Sequence, residues 1–224
     1  MSTSTIRTQL GSDPITRRRV GIVSLALTVT SLTAVPGGLL WPEPSGGGET
    51  YTYADIQPLR DRWWGLLVFL SAALVLNVPA QAFATSLLVR RRGAAWATTG
   101  GVLMWIGTAL YAVGGAGWAA AYYFATAPGV DPTAGASVID RMAEDSLHLF
   151  GPMIAGALLV AVGTLVQTVG LWRSHAVPRW VPLGAATIAL TFLVPGNGVI
   201  GLVTALPMTA AAIGIAYYAW RAVR

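Results

Sequence analysis

The chain has 224 residues, is 54% hydrophobic and only 10% charged, and carries a net charge of +5; a soluble domain holds about 25% charged residues, so a largely water-facing surface is excluded. It has no cysteine and no lysine, its 14 basic residues all being arginine, which excludes disulfides, thiolate nucleophiles, iron–sulfur ligation and Schiff-base cofactors. The arginines stand at the ends of apolar runs rather than on one face or in a tail, which excludes nucleic acid and points to lipid phosphates as partners.

In chain order, residues 1–19 read as a cytoplasmic tail ending in Thr16-Arg17-Arg18-Arg19. Such a basic stretch before an apolar run resembles a secretion signal. No small-x-small cleavage site follows and further apolar runs do, so it reads as a retained first span. A spanning helix needs roughly 20 mostly apolar residues, and six are read: Val20–Trp41, Trp63–Val89, Ala94–Phe124, Leu147–Trp172, Trp180–Val194 and Val199–Trp220. The fifth is short. Pro195-Gly196-Asn197-Gly198 is a turn signal that separates it from the sixth.

The charges sort by connector. Arg7, Arg17 to Arg19, Arg90 to Arg92, Arg173, Arg179, Arg221 and Arg224 fall on one side with a single acid, Asp13. Glu43, Glu49, Asp55, Asp61, Asp131, Asp140, Glu144 and Asp145 fall on the other with three arginines, Arg60, Arg62 and Arg141. Basic connectors remain in the cytoplasm. The expectation is an all-α, polytopic transmembrane helical bundle in the cytoplasmic membrane, residues 20–224 forming one six-helix domain with both termini cytoplasmic. Aromatic residues mark the boundaries, with Trp41, Trp63, Trp64, Tyr122 and Tyr123 at outer ends and Trp96, Trp172, Trp180, Tyr217, Tyr218 and Trp220 at inner ends. Rings with one polar edge favour the headgroup layer.

Gly100, Gly107 and Gly114 recur every seven residues in the third span, as do Gly156, Gly163 and Gly170 in the fourth. A seven-residue step returns to nearly the same helix face, and helices in lipid associate through close packing at small residues. These spans should form a tight antiparallel pair, with Met104, Tyr111 and Trp118 as knobs over fourth-span glycines.

No Asp, Glu, Lys or Arg lies inside a span, which disfavours proton pumps, ion-coupled transporters and voltage sensors. Neutral polar residues do lie near mid-membrane: Thr30, Ser31, Asn77, Tyr111, Thr187, Thr191 and Thr209. Asn77 and Thr209 each sit two residues from a proline, Pro79 or Pro207, where the helix loses a hydrogen bond. Asn77, Tyr111, Trp118 and Thr209 are therefore candidates to contact a small hydrophobic or lipid-like ligand, against the plainer reading of interhelical hydrogen bonding. Gln167, Thr85, Thr98 and Thr99 share a depth nearer the cytoplasm and read as packing contacts.

The densest constellation precedes the fourth span. Ser137 reads as the cap of a helix on which Asp140, Glu144 and His148 share one face. Asp140, Glu144, Asp145 and His148 are candidate catalytic acids or bases towards a lipid or isoprenoid, as in a proton-initiated terpene cyclase. Metal binding by the same face is an alternative, as is a solvated helix with favourably placed acids. The two histidines, His148 and His175, lie roughly 40 Å apart along one helix at 1.5 Å per residue, so they cannot share a metal or haem in one subunit. No phosphate loop, nucleophile elbow or zinc-protease motif is present, and no cofactor is implied.

Leu147-His148-Leu149-Phe150-Gly151-Pro152, Gly170-Leu171-Trp172-Arg173-Ser174, Pro178-Arg179-Trp180, Val194-Pro195-Gly196 and Leu206-Pro207 resemble a domain-of-unknown-function family of small bacterial six-helix membrane proteins. The resemblance covers roughly the C-terminal third and implies a six-span fold. It implies no activity and no catalytic residues. The leading functional expectation is a membrane protein that binds or passes a small hydrophobic ligand, alone or as an accessory subunit of a homo- or hetero-oligomer. The alternatives are a membrane-embedded enzyme and a structural assembly partner.

Overall fold

A computed structural model describes residues 13–46, 51–193 and 198–224. The described chain is helical, with no strand among the described residues. The elements are α1 (Pro14–Leu32), α2 (Ala34–Leu40), α3 (Tyr53–Ile56) with a 3-10 turn at Gln57–Leu59, α4 (Arg60–Leu88), α5 (Ala94–Ala125), α6 (Pro132–Glu144), α7 (Ser146–Ser174), α8 (Trp180–Leu193) and α9 (Gly198–Arg221). Arg7, Glu49 and the Pro195–Asn197 part of the turn expected before α9 lie outside the described residues.

Five segments are long and apolar enough to cross a bilayer: Pro14–Gly37, Tyr53–Leu88, Ala94–Ala125, Leu147–Ser174 and Gly201–Arg221. The α8 segment is apolar but has 14 residues, about 21 Å at 1.5 Å per residue, against a hydrocarbon core of about 30 Å. Its length alone does not make it a span. Large apolar side chains face outward along the bundle, among them Leu25, Phe69, Trp105, Val113, Leu158 and Leu190. A helical bundle that is apolar outside as well as inside suits lipid and not water.

Each helix packs on its neighbour in a closed order, α1 on α4, α4 on α5, α5 on α7, α7 on α8, α8 on α9 and α9 back on α1. Helix α1 is antiparallel to α9: Arg17 donates to the Val223 carbonyl, Ser24 to Ala216 and Thr209 to Ser31. Both described ends of the chain therefore meet at one end of the bundle. Val89, Leu171, Val177 and Val223 pack in one apolar cluster there, bringing the 90–93 and 173–179 connectors to the same end. The opposite end is a second cluster, where Tyr51, Ile56, Trp63, Trp118, Tyr122 and Ile139 meet. The arginine-rich connectors and the acidic ones thus sit at opposite ends of the molecule.

The expected glycine seam is present, and α5–α7 is the most extensive helix pair. A Cβ at Gly100 would lie 2.5 Å from the Gly163 carbonyl, and one at Gly107 2.7 Å from the Gly156 carbonyl. Knobs interlock in both directions. The Met104 side chain covers Gly163 and that of Met153 covers Gly114, while at Gly156 it is the Tyr111 backbone that closes in. Trp118 departs from the expectation: it packs edge-on against Phe150, ring centroids 5.3 Å apart, and not over a glycine. At the arginine-rich end Gly93 has φ +90, and a Cβ there would stand 2.5 Å from the Gly170 carbonyl. Both the left-handed backbone and the close approach require glycine.

Two local expectations are corrected. The helix before α7 starts earlier than Ser137, because Asp131 caps it, accepting from the Thr133 and Ala134 amides, with Pro132 at the first helical position. It also ends at Glu144, since Asp145 has φ −103 and ψ 52. Asp140, Glu144 and His148 are therefore not on one continuous helical face. Trp63 and Tyr122 are not headgroup anchors either. Both are buried in the aromatic cluster at the acidic end, whereas Trp64, Trp96, Trp172, Trp180 and Tyr217 are exposed.

Candidate functional site

The four ligand candidates divide into two places. Asn77 and Thr209 converge on α1. The Asn77 amide donates to Thr30 Oγ1 at 2.9 Å and to Ser31 Oγ at 2.8 Å, and the Thr209 hydroxyl donates to the Ser31 carbonyl at 3.0 Å. This network ties α1, α4 and α9 together. Tyr111 lies on the α5–α7 seam with Phe192 edge-on at 5.2 Å. Trp118 belongs to the aromatic cluster at the acidic end, with Trp63 at 5.1 Å and Tyr122 at 5.9 Å. Thr187 and Thr191 bond the carbonyls of Gly184 and Thr187 on their own helix. Thr98 and Thr99 face outward and do not join Gln167.

The buried polar layer is instead built on a residue the sequence reading passed over, Gln81. Its amide donates to Gln167 Oε1 at 3.1 Å, and both side chains are 1% exposed. Asn77, Gln81 and Thr85 recur every four residues, so they form one stripe on α4. That spacing was the signal available in the sequence. On α7 the inward face is Val160, Thr164, Gln167 and Leu171, all buried. Gly101 of α5 adds the third wall, where a Cβ would come within 3.5 Å of Gln167 Nε2.

Hydrogen bonding in this layer is incomplete. Gln167 Nε2 and the hydroxyls of Thr85 and Thr164 are buried and have no partner. Two glutamine amides present four N–H donors, and one mutual bond uses one of them. Exchanging the amide O and N would only move the unpaired donor. The layer is neutral and donor-rich, and so suited to a carbonyl or hydroxyl oxygen.

The acidic candidates are arranged differently. Asp140, Glu144, Asp145 and His148 are all exposed. His148 Nδ1 and Asp145 Oδ1 stand 2.7 Å apart. This pair edges a shallow recess of about 380 Å³ with Val138, Arg141, Met142 and Leu149. Asp140 and Glu144 do not line it. No group of three His, Cys, Asp or Glu that could hold a metal occurs among the described residues.

A larger recess of about 470 Å³ opens at the same end between the start of α4 and the 126–132 turn. Arg60 and Arg62 line it together with Asp61. Neither recess lies between α4, α5 and α9.

Comparison with known proteins brings no relative to this geometry: no family model, curated protein or solved structure matches the chain.

Proposed function

We propose that this chain is a multi-pass protein of the cytoplasmic membrane, crossing it six times with both termini inside, that binds or passes a small hydrophobic molecule bearing a polar end. On this reading it stands with the small bacterial six-helix membrane proteins that its C-terminal motifs resemble. The sorting of arginines and carboxylates to opposite ends supports the topology. The observation that carries the ligand reading is the Gln81–Gln167 layer with its unpaired donors inside an apolar bundle. An unpaired buried donor at membrane depth costs several kcal/mol, so an acceptor from outside the chain completes the layer. The stripe continues along α4 to Asn77, whose bond to Ser31 links it to Thr209 of α9, while Tyr111 and Trp118 fall outside it.

The test is extraction of the purified protein and mass spectrometry of the bound small molecules. Wild type should retain a hydrophobic compound with a carbonyl or hydroxyl group, and Gln167→Leu should lose it while remaining monodisperse. Identical extracts from the two proteins would end this reading.

A second reading is favoured by one contact. The Asp145–His148 pair at an apolar-lined recess has the geometry of a base held by an orienting carboxylate. In that case the protein acts on a lipid or isoprenoid substrate. Asp145→Asn and His148→Gln should abolish product in a cell-based assay with the fold intact; unchanged product from both removes the enzyme reading.

A further inference from the structure

The first turn of α4 contains an exception to the charge sorting. Two of the three arginines on the acidic side, Arg60 and Arg62, flank a single acid, and both border the 470 Å³ recess. Asp61 is the one carboxylate among the residues that line it.

Arg60 is held in place. Its Nε donates to the Tyr123 carbonyl at 2.9 Å, and its guanidinium carbon lies 3.5 Å from the centre of the Tyr123 ring. The side chain is only 18% exposed. A guanidinium fixed by a carbonyl and a ring has little conformational freedom left to lose on binding. The contact to Asp61 is long, 3.4 Å, and Asp61 itself is 85% exposed; an exposed pair of this kind contributes little. Arg62 is tethered loosely, Nη2 reaching the Leu40 carbonyl at 3.4 Å. Planar guanidinium groups match phosphate oxygens two at a time. The recess also stands one turn before the exposed Trp64, which packs against Tyr123 at 5.9 Å, and such a ring marks the headgroup layer.

We propose that this recess is a binding site for a phosphate-type anion, received by Arg60 and Arg62 at the outer end of the bundle. It does not depend on the Gln81–Gln167 ligand reading, and the anion can reach it as a lipid headgroup or as free phosphate.

Full-length protein is reconstituted in nanodiscs of phosphatidylcholine with or without phosphatidylglycerol, and bound lipid is counted by native mass spectrometry. In parallel, inorganic phosphate binding is titrated in neutral detergent. Arg62→Gln spares the Tyr123 contact and should weaken binding about tenfold, the loss of one charge-assisted hydrogen bond. Asp61→Asn should strengthen it and keeps the proposal testable should an arginine variant misfold. Selective retention of phosphatidylglycerol that follows both variants assigns a lipid headgroup. Phosphate binding that follows both variants assigns the free anion. Binding indifferent to both substitutions in both arms overturns the proposal.

Discussion

Asp55 and Gln167 both satisfy polar groups near helix ends or faces, in opposite surroundings. Asp55 lies in α3, where Ser45 and then the Thr52 amide hold its carboxyl down to about 2 from an ordinary 3.8. Oδ2 accepts from the Thr52 amide and hydroxyl at 2.8 Å, and Oδ1 from the Ser45 amide at 3.2 Å. Thr52 returns a bond to the Asp55 amide, which completes a capping box at α3. Because the folded pKa is depressed, the latch contributes above the unfolded value of 3.8 and is lost as pH falls towards 2. Protection factors at the Thr52 and Ser45 amides, corrected for the intrinsic pH dependence of exchange, should therefore be high at pH 5 and fall between pH 4 and 2, and Asp55→Asn should remove that dependence. A flat profile in wild type would exclude the latch. Gln167 has no water to fall back on, so its unpaired amide is an energetic demand where Asp55's exposure is not.

The α5–α7 pair is where elements are most tightly specified. Backbone atoms of the two helices come closest at the glycines, so neither helix can accept a side chain without moving the other. At Gly163 a Cβ would meet the Met104 amide nitrogen at 2.7 Å and the Gly100 carbonyl at 2.8 Å, both backbone atoms. Gly163→Leu must push the helices apart, costing at least about 1–3 kcal/mol of overpacking. The expected result is a sharp loss of monodisperse protein on size exclusion in detergent. Gly117, which has nothing within 4 Å, is the control, and Gly117→Leu should elute as wild type. Equal behaviour of the two variants would contradict the seam. The α8–α9 hairpin follows the same logic more loosely, with Gly184 against the Pro207 carbonyl and Gly214 against the Trp180 ring.

The bundle as a unit is defined by its two unlike ends. Arg17 meets Val223 at one, and the aromatic cluster under α6 closes the other, with Ile139 1% exposed. An asymmetric distribution of arginine orients such a bundle in a membrane. The absence of native cysteine makes the orientation directly measurable. Single cysteines placed in 42–62 or 126–146 should react with a membrane-impermeant thiol reagent in intact cells, and those in 90–93 or 173–179 should react only after permeabilisation. The reverse pattern would invert the topology. Equal protection of cysteines on both sides of α8 in intact cells would show that this 14-residue helix does not complete a crossing.

The amino-acid sequence alone determined the approximate positions of the long apolar helices, the segregation of charge and the pairing of the α5 and α7 glycine faces. Each is carried by spacing within one segment or by charge at its ends, and so is legible in one dimension. Tertiary structure decided which polar groups meet. Gln81 and Gln167 are 86 residues apart and Asn77 and Ser31 are 46 apart, and their contact depends on how each helix is rotated about its own axis, which the neighbouring helices set. The same reason explains Trp63 and Trp64, adjacent in the chain, one buried in an aromatic cluster and the other exposed. It also explains the break at Asp145, where α6 must turn across the end of the bundle so that Gly135 and Ile139 reach the Ala125 carbonyl and the aromatic cluster.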